Sequence, residues 1–258
     1  MATSDWARKR QILYGMGVLL FFAILIVPPV LISNYQAPNC FDGKLNQGEV
    51  SIDRGGPCVL LDSRQVQPHA VLWARAFPVR EGFYNAVAYI ENPNENAGVF
   101  EASYQFKLYD SRNILIAERY GVIPVFPGKV FPVFESRIDT GNRIPARTFF
   151  SFTSNFQWEK ITDPTSGLAI INETLRNADS APRVDATIRN TNLTTREDIV
   201  VVATLFDAAG NAIASSRTLV DRIEQDEEVN IAFTWPRAFT SEVSRIDIVP
   251  LALPKRST

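Results

Sequence analysis

The sequence predicts an all-β fold that follows one N-terminal transmembrane helix, and three observations support this prediction. Residues 12–32 form an apolar run without a charged residue. Beyond residue 66, apolar and polar residues alternate, and turn-forming residues recur about every ten positions. Within this strand-like region, a block of sequence is repeated at an offset of about 97 residues.

The apolar run Ile12–Ile32 has the length of a membrane-spanning helix. At about 1.5 Å per residue it reaches roughly 31 Å, close to the ~30 Å hydrocarbon core of a bilayer. The basic cluster Arg8–Arg10 precedes it, so we expect residues 1–11 in the cytoplasm and the chain after the helix outside the cell membrane. A cleaved signal peptide is the weaker alternative, because no small-x-small cleavage site follows the run. Pro28 and Pro29 should disturb the helix near its outer end.

The composition argues against several classes of protein. The chain is 46% hydrophobic and 21% charged, as in globular proteins, and its formal net charge is −2. It has no basic segment of the kind that binds nucleic acid, so no nucleic-acid partner is predicted. His69 is the single histidine, and no P-loop, G-x-G-x-x-G or G-x-S-x-G motif occurs. We therefore predict no catalytic residue, no organic cofactor and no enzymatic activity.

A glycine-rich loop between the two cysteines, Cys40 and Cys58, follows the predicted helix. An oxidising exterior permits a disulfide between them, and a free-thiol or metal role is the weaker alternative. Four side chains of the loop offer oxygen ligands at close intervals: Asp42, Asn46, Glu49 and Asp53. Such clusters hold Ca²⁺ in other proteins, although the spacing is not that of an EF-hand. The favoured alternative is that these side chains bond the backbone of their own turns.

The loop resembles a cysteine-rich juxtamembrane motif of secreted and anchored proteins from small-genome (candidate phyla) bacteria, whose usual form is C-x-D-G-x-x-N-x-G-E-x-x-x-D-C-G-G-x-C-x-x-C. The chain keeps the motif at ten positions: Cys40, Asp42, Gly43, Asn46, Gly48, Glu49, Asp53, Gly55, Gly56 and Cys58. Arg54 and Leu61 stand where the motif has its other two cysteines. Because that pair is lost together, the resemblance implies a Cys40–Cys58 disulfide. It also implies a surface protein without an enzymatic role.

The internal repeat predicts two copies of one domain. Ala86–Asn94 parallels Val184–Asn192, and Tyr104–Asp110 parallels Val201–Asp207. Each copy spans about 95 residues, near the ~100 of an immunoglobulin-like sandwich. The fold class is therefore all-β, with tandem immunoglobulin/fibronectin-like β-sandwiches after one N-terminal transmembrane helix.

Six segments follow from these observations. They are a cytoplasmic tail (1–11), a transmembrane helix (12–32), a juxtamembrane disulfide loop (33–65), a first β-sandwich (66–160), a second β-sandwich (161–254) and a tail (255–258). Within the sandwiches, we expect Trp73, Trp158 and Trp235 to fill the cores. The stretch Ile170–Asn177 is the one part of this region with a helical period.

Phe106-Lys-Leu-Tyr-Asp110 resembles the signature of the FxLYD domain family, small sandwiches of membrane-anchored bacterial and archaeal proteins. The second copy ends on Asp207 and lacks the first Phe of the signature. The resemblance implies fold and surface location, and the family has no established chemistry. The residues themselves predict a hairpin turn in each copy. Asp110 and Asp207 should accept backbone amides, and Asn113 and Gly210 should be left-handed.

These features favour a single-pass, membrane-anchored extracytoplasmic protein with a structural or protein-interaction role in the cell envelope. Its expected partners are membrane lipid, through residues 12–32, and an envelope or surface protein. The alternative function is a surface receptor that binds a small solute or a glycan, which would need a concave pocket with convergent polar groups. Beyond calcium in the cysteine loop, no cofactor is predicted.

Overall fold

The computed structural model describes residues 3–35, 37 and 39–256, and the chain divides into two compact units, Met1–Pro57 and Cys58–Thr258. Positions 1, 2, 36, 38, 257 and 258 lie outside the described residues. They include parts of the predicted cytoplasmic tail, of the juxtamembrane segment and of the C-terminal tail.

Within the described part of the first unit, one long helix, α1, runs over Thr3–Asn34. Its segment Trp6–Ser33 is long and apolar enough to cross a membrane, with a mean hydropathy of 2.6. The structure thus confirms a helix that can serve as an anchor or signal sequence, and the predicted run lies inside it. The expected disturbance at Pro28 and Pro29 does not end the helix, which continues through both residues. In hydrocarbon a broken helix would leave backbone groups without water to bond, which favours continuation.

Thirteen strands account for most of the described part of the second unit. They are β1 Ala70–Arg80, β2 Phe83–Asn92, β3 Ala97–Tyr109, β4 Leu115–Val125, β5 Lys129–Asp139, β6 Arg147–Phe152, β7 Glu159–Lys160, β8 Leu168–Arg176, β9 Arg183–Asn190, β10 Arg196–Phe206, β11 Ala212–Ile223, β12 Glu228–Thr234 and β13 Arg245–Ala252. All pairings between these strands are antiparallel.

The strands form two sandwiches with the same strand order. In the first, the sheet β1-β2-β5 faces the sheet β4-β3-β6, and β7 pairs with the start of β3. In the second, β8-β9-β12 faces β11-β10-β13. Each strand from β8 to β13 takes the place of one strand from β1 to β6, as the repeat requires. This arrangement confirms the predicted fold class.

The helical period at Ile170–Asn177 was misleading, because these residues belong mainly to strand β8, which pairs with β9. The register shifts between Ile171 and Thr174, and Asn172 lies there with a φ of 56°. A bulge of this kind interrupts the two-residue alternation of side chains. The interruption explains why the segment does not read as a strand.

Each sandwich has its own apolar core. The largest fully buried side chains of the first are Phe106, Phe126, Phe131, Ile90, Leu108 and Ile138, and those of the second are Ile188, Ile199, Leu205, Ile223 and Phe233. Trp158 is buried in the first core and Trp235 packs against the second, as expected. Trp73 is an exception, because it lies outside both cores in a separate cluster.

The two hairpin turns have the predicted geometry. Asp110 Oδ1 accepts hydrogen bonds from the amides of Arg112 and Ile114, each at 2.9 Å. Asp207 Oδ1 does the same for its own turn, at 3.0 and 2.8 Å. Asn113 and Gly210 have φ angles of 61° and 79°. The Asp side chains therefore close the turns, and the motif is explained without a ligand.

A repeated asparagine has a structural role that the sequence analysis missed. Asn92 is fully buried, and its Nδ2 donates to the carbonyls of Ala97 (2.7 Å) and Phe126 (2.9 Å). Asn190 occupies the same place in the second sandwich, where its Nδ2 donates to Ile223 O at 3.2 Å. Both side chains bond carbonyls at the ends of strands or in the adjoining loop, which satisfies these buried polar groups. Their recurrence in the repeat was the signal that could have identified them.

Candidate functional site

The two sandwiches contact each other through the outer faces of one sheet each. Side chains of β1, β2 and β5 meet side chains of β10 and β11 in an apolar cluster. Its members are Trp73, Phe77, Val87, Tyr89, Phe134, Val200, Val202, Phe206 and Ala212. We call this cluster the inter-sandwich contact. It corrects the prediction that Trp73 fills a core, since this ring stacks on Tyr89 with 4.6 Å between centroids.

Two hydrogen bonds connect the sandwiches beside these apolar side chains. The Tyr89 hydroxyl donates to Asp247 Oδ2 at 2.8 Å, and Arg75 Nη1 donates to Ala212 O at 2.7 Å. Burial, followed by the nearby Asp247 carboxylate, raises the pKa of Tyr89 far above its ordinary value. The hydroxyl therefore remains a hydrogen-bond donor throughout the physiological pH range. The contact thus combines a well-packed apolar centre with hydrogen-bonded polar groups, as stable interfaces between domains do.

The equivalent outer face of the first sandwich is exposed on β4 and β6, whereas its central strand, β3, is half-buried and its Gln105 is buried. We call it the β3 outer face, and its residues are Gln105, Lys107, Tyr109, Glu118, Tyr120, Val122 and Phe149. Tyr120, Val122 and Phe149 are 61%, 60% and 54% exposed. Tyr109 meets Phe149 edge to face, with 5.6 Å between centroids. The face thus presents aromatic rings to solvent.

A polar network holds the centre of this face. Gln105 Nε2 donates to Glu118 Oε1 at 3.0 Å and also contacts the Tyr120 hydroxyl. Lys107 Nζ lies 3.8 Å from Glu118 Oε1. Desolvation, followed by the Glu118 charge, raises the pKa of Tyr120. These bonds fix the orientation of the Tyr120 ring before any partner binds, which lowers the entropy lost on binding.

The structure brings the four predicted calcium ligands into one hydrogen-bond network. Asp42 accepts bonds from Lys44 N (2.9 Å) and Asn46 Nδ2 (2.8 Å), and the Asn46 bond, together with the backbone bonds, lowers the pKa of this carboxyl. Glu49 Oε2 accepts from Asp53 N at 3.1 Å. Asp53 in turn accepts from the amide of Gly43, at 3.1 Å to Oδ2. The bonds of Asp42 and Glu49 are local turn bonds, whereas the bond of Asp53 spans ten residues of the loop. The calcium site stays a prediction.

The loop is closed covalently and by a tight backbone approach. Cys40 and Cys58 are disulfide-bonded to each other, as the sequence and the resemblance indicated. Gly56 has a φ of 55°, and a Cβ at this position would lie 2.3 Å from the carbonyl oxygen of Gly48. Any side chain there would collide with backbone, so position 56 requires glycine.

His69 lies just before β1 against aromatic rings. Its ring centroid is 4.8 Å from that of Phe156 and 5.1 Å from that of Phe152. Burial lowers the pKa of this imidazole. Within residues 39–256, the structure shows no hydroxyl or carboxylate hydrogen-bonded to it. A nucleophile–histidine–carboxylate arrangement needs both partners within reach, and this histidine packs as an aromatic side chain instead.

The second unit has several concave regions of ligand size, and two of them combine apolar with polar linings that could bind a ligand. A groove of about 780 Å³ is lined by apolar and amide side chains, including Leu61, Val66, Asn94, Asn96 and Ile161. A cleft of about 400 Å³ lies where the sandwiches join, beside Thr162–Pro164. Small-molecule sites commonly occupy about 300–1,000 Å³ and occur at domain junctions.

Comparisons with known proteins identify no family for this chain. No family model and no curated protein matches it. Similar solved structures include red sea bream transglutaminase, which is 10% identical over 75% of this chain and 32% of its own, with a TM-score of 0.23. A β-glucuronidase of glycoside hydrolase family 2 is 8% identical over 67% and 24%, with a TM-score of 0.22. A further family 2 member, from Bacteroides cellulosilyticus, is 13% identical over 67% and 27%, with the same TM-score.

The chain spans about a third or less of the length of these three proteins. At such TM-scores, their catalytic activities say nothing about this chain. Function must therefore be argued from its own surfaces.

Proposed function

We propose that this protein is a single-pass, membrane-anchored extracytoplasmic protein that works by binding another protein of the cell envelope and catalyses no reaction. The helix supports the anchor, since Trp6–Ser33 is long enough to span a bilayer. Arg8–Arg10 at its start support an orientation with the N-terminus in the cytoplasm. The two sandwiches would then stand outside the membrane.

The observation that carries the interaction role is the exposure of the β3 outer face. Its counterpart in the second sandwich contains Val202 and Phe206 and is buried against another sandwich. A sheet face of this type therefore already forms a protein contact once in this chain. On the first sandwich it carries exposed aromatic rings with a charged, hydrogen-bonded centre. Tyrosine and phenylalanine are enriched at protein interfaces, and tyrosine is also frequent among the residues that contribute most to binding.

Site-specific photocrosslinking in native cells tests the proposal. A benzophenone amino acid at position 149 should form a protein adduct, because Phe149 lies on the β3 outer face. The matched control is position 193, since Leu193 is 83% exposed in the loop between β9 and β10. The second variant Tyr120→Ser should weaken the adduct at 149 without unfolding the protein. Equal adducts at both positions, or an adduct at 149 unaffected by Tyr120→Ser, would contradict an interface at this face.

The proposed orientation has its own test. Protease added to intact cells should remove the sandwiches, residues 66–254, and leave the N-terminal tail protected. Protection of the sandwiches in intact cells, with cleavage only after permeabilisation, would invert the topology.

A surface receptor for a small solute or a glycan is the second candidate function. The specific observation that favours it is the groove of about 780 Å³ beside Asn94 and Asn96. Asn94 Nδ2 already donates to Gln67 O at 2.8 Å, so part of the amide lining is used by the fold. Saturable binding in a glycan or solute screen, lost on Asn96→Leu and kept on Leu193→Ser, would favour the receptor over the interaction protein.

A further inference from the structure

The cleft of about 400 Å³ at the junction of the sandwiches combines an apolar wall with basic groups. The link after β7, the start of β10 and the segment after β13 form it. Its apolar lining consists of Phe100, Ile161, Pro164, Ala252, Leu253 and Pro254. Lys160, Arg196 and Lys255 supply positive charge along the same lining. The cleft can therefore accept a ligand with one apolar and one anionic part.

Arg196 is the unusual residue of this cleft. Its Nε–H is buried without a hydrogen-bond partner, and no carboxylate of residues 39–256 forms an ion pair with its guanidinium. A buried cationic donor without an acceptor is costly, and native structures normally satisfy such groups. Arg196 is half-buried in the cleft lining, and no described carboxylate balances the charge of its guanidinium.

The two acidic groups of the cleft do not balance this charge, because each already has a cation. Asp163 Oδ2 lies 2.7 Å from Lys129 Nζ. Glu197 Oε2 lies 2.5 Å from Lys255 Nζ, and Arg222 is 3.7 Å from the other oxygen. The charge that remains uncompensated in the cleft is that of Arg196.

The repeat provides an internal reference for this position. Arg196 begins β10 and pairs with Ile223, just as Val99 near the start of β3 pairs with Val125. Val99 is buried in the first core. The fold therefore accepts an apolar side chain at this place, and the second sandwich has a cation there instead. The strand pairing itself therefore does not require a charge at this position.

We propose that the junction cleft binds a small carboxylate with an apolar body, and that Arg196 holds the carboxylate. A guanidinium matches a carboxylate with two parallel hydrogen bonds, which are stronger than bonds between neutral groups. The wall of Ile161, Pro164 and Leu253 then covers the apolar body. A monoanionic carboxylate balances the single charge of Arg196, whereas a phosphate dianion would leave one negative charge without a partner. The carboxylate can belong to a free acid or to the C-terminus of a peptide.

Calorimetric titration of the full-length protein in lipid nanodiscs tests this assignment, which is independent of the β3 outer face. The probe is 3-methylbutanoate, and 3-methylbutanamide is its neutral counterpart. We expect the acid to bind and to raise Tm, and the amide to do neither. Arg196→Met should weaken binding by about tenfold or more, because it removes charge-assisted hydrogen bonds. Arg183→Met removes a cation of the same sandwich outside the cleft and should leave binding unchanged.

Arg196→Met should also keep or raise Tm without ligand, since Val99 shows that an apolar residue fits. This measurement separates lost binding from lost folding. If N-acetyl-alanyl-leucine binds more tightly than 3-methylbutanoate, the site exists and its ligand is the C-terminus of a peptide. If 3-methylbutanoate binds more tightly, the site exists and its ligand is a free acid. No binding of either acid, equal binding by Arg196→Met, or tighter binding of inorganic phosphate would overturn the proposal.

Discussion

The two sandwiches share strand order, turns and buried asparagines, yet their outer faces differ at equivalent positions. On the second strand of the repeat, Val87 and Tyr89 of the first sandwich correspond to Asp185 and Thr187 of the second. Val87 and Tyr89 are buried in the inter-sandwich contact. Asp185 lies at the surface of the second sandwich, 2.7 Å from Arg183. The side chains at these two positions are therefore apolar where another sheet covers them and polar where the face is open to solvent.

The opposite sheet shows the reverse pattern. Val202 and Thr204 of β10 are buried, whereas Gln105 and Lys107 at the same positions of β3 belong to the polar centre of the β3 outer face. The cores could stay alike while the outer faces diverged, because side chains of one strand alternate between the two faces.

The largest effect should come from placing the aspartate of the second sandwich, Asp185, at the equivalent position of the first, Val87, inside the inter-sandwich contact. Val87→Asp places a carboxylate where a side chain is fully buried. Arg75 lies opposite on β1, but its guanidinium already donates to Ala212 O, so pairing with the new carboxylate would compete with a bond of the contact. We expect the free energy of unfolding to fall by about 2–4 kcal/mol, because apolar packing is lost and a charge is desolvated. Denaturant unfolding of the full-length protein measures this loss.

The reverse substitution, Asp185→Val, is the matched control. Asp185 bonds to exposed arginines at the surface, and such pairs contribute about 0–1 kcal/mol. Its effect should therefore be small. Similar losses for Val87→Asp and Asp185→Val would show that the two outer faces are not distinguished by a contact.

A smaller effect is expected from Tyr89→Phe. The substitution keeps the stacked ring but removes the hydroxyl that donates to Asp247. The free energy of unfolding should fall by about 1–2 kcal/mol, as for other lost bonds to a charged group. Tyr109→Phe, on the exposed equivalent face, should change it by less than about 0.5 kcal/mol. If both variants lose the same amount, the Tyr89–Asp247 bond does not stabilise the contact between the sandwiches.

The sequence contained a signal for the inter-sandwich contact. The signal becomes visible when the two copies of the repeat are compared, and not when each strand is read by its alternation alone. Ala86–Ile90 is apolar at every position, which is typical of a strand covered on both faces. The repeat copy, Val184–Ile188, alternates and therefore predicts one solvated face. Comparison of the two copies could have identified the covered sheet. It could not have named the covering sheet, because Val87 meets side chains more than one hundred positions away.

Other features were predictable because they depend on local chemistry. The turns at Asp110 and Asp207 follow from the side chains of four consecutive residues. The strand at Ile170 was missed, since a bulge changes the alternation without a sequence marker. The role of Arg196 was also out of reach, because its lack of a partner depends on where Glu197 and Asp163 find their cations.

The smallest effects are expected at the two hairpin turns. Comparing them distinguishes the bonds that Asp makes within its turn from a bond that it makes to another part of the sandwich. The amide of Ile114 lowers the pKa of Asp110 below its ordinary 3.8, and the amide of Asn211 does the same for Asp207. A carboxyl with a lowered folded-state pKa stabilises the fold above its unfolded pKa and loses this contribution as the pH falls through the folded pKa. Both turns should therefore contribute fully at neutral pH and weaken below about pH 4.

Asp110 has a partner that Asp207 lacks, since Arg143 Nη1 lies 3.2 Å from its Oδ2 and connects the turn to the β5–β6 loop. Asp110→Ala should therefore lower Tm more than Asp207→Ala at neutral pH. In the Arg143→Ala background, Asp110→Ala should cost about as much as Asp207→Ala does in the wild type. Scanning calorimetry of the wild type, the three single variants and the double variant, at pH values from neutral to about 4, measures both trends. Equal losses for the two Asp variants would assign the whole effect to the turn amides, because those bonds are the same in both copies.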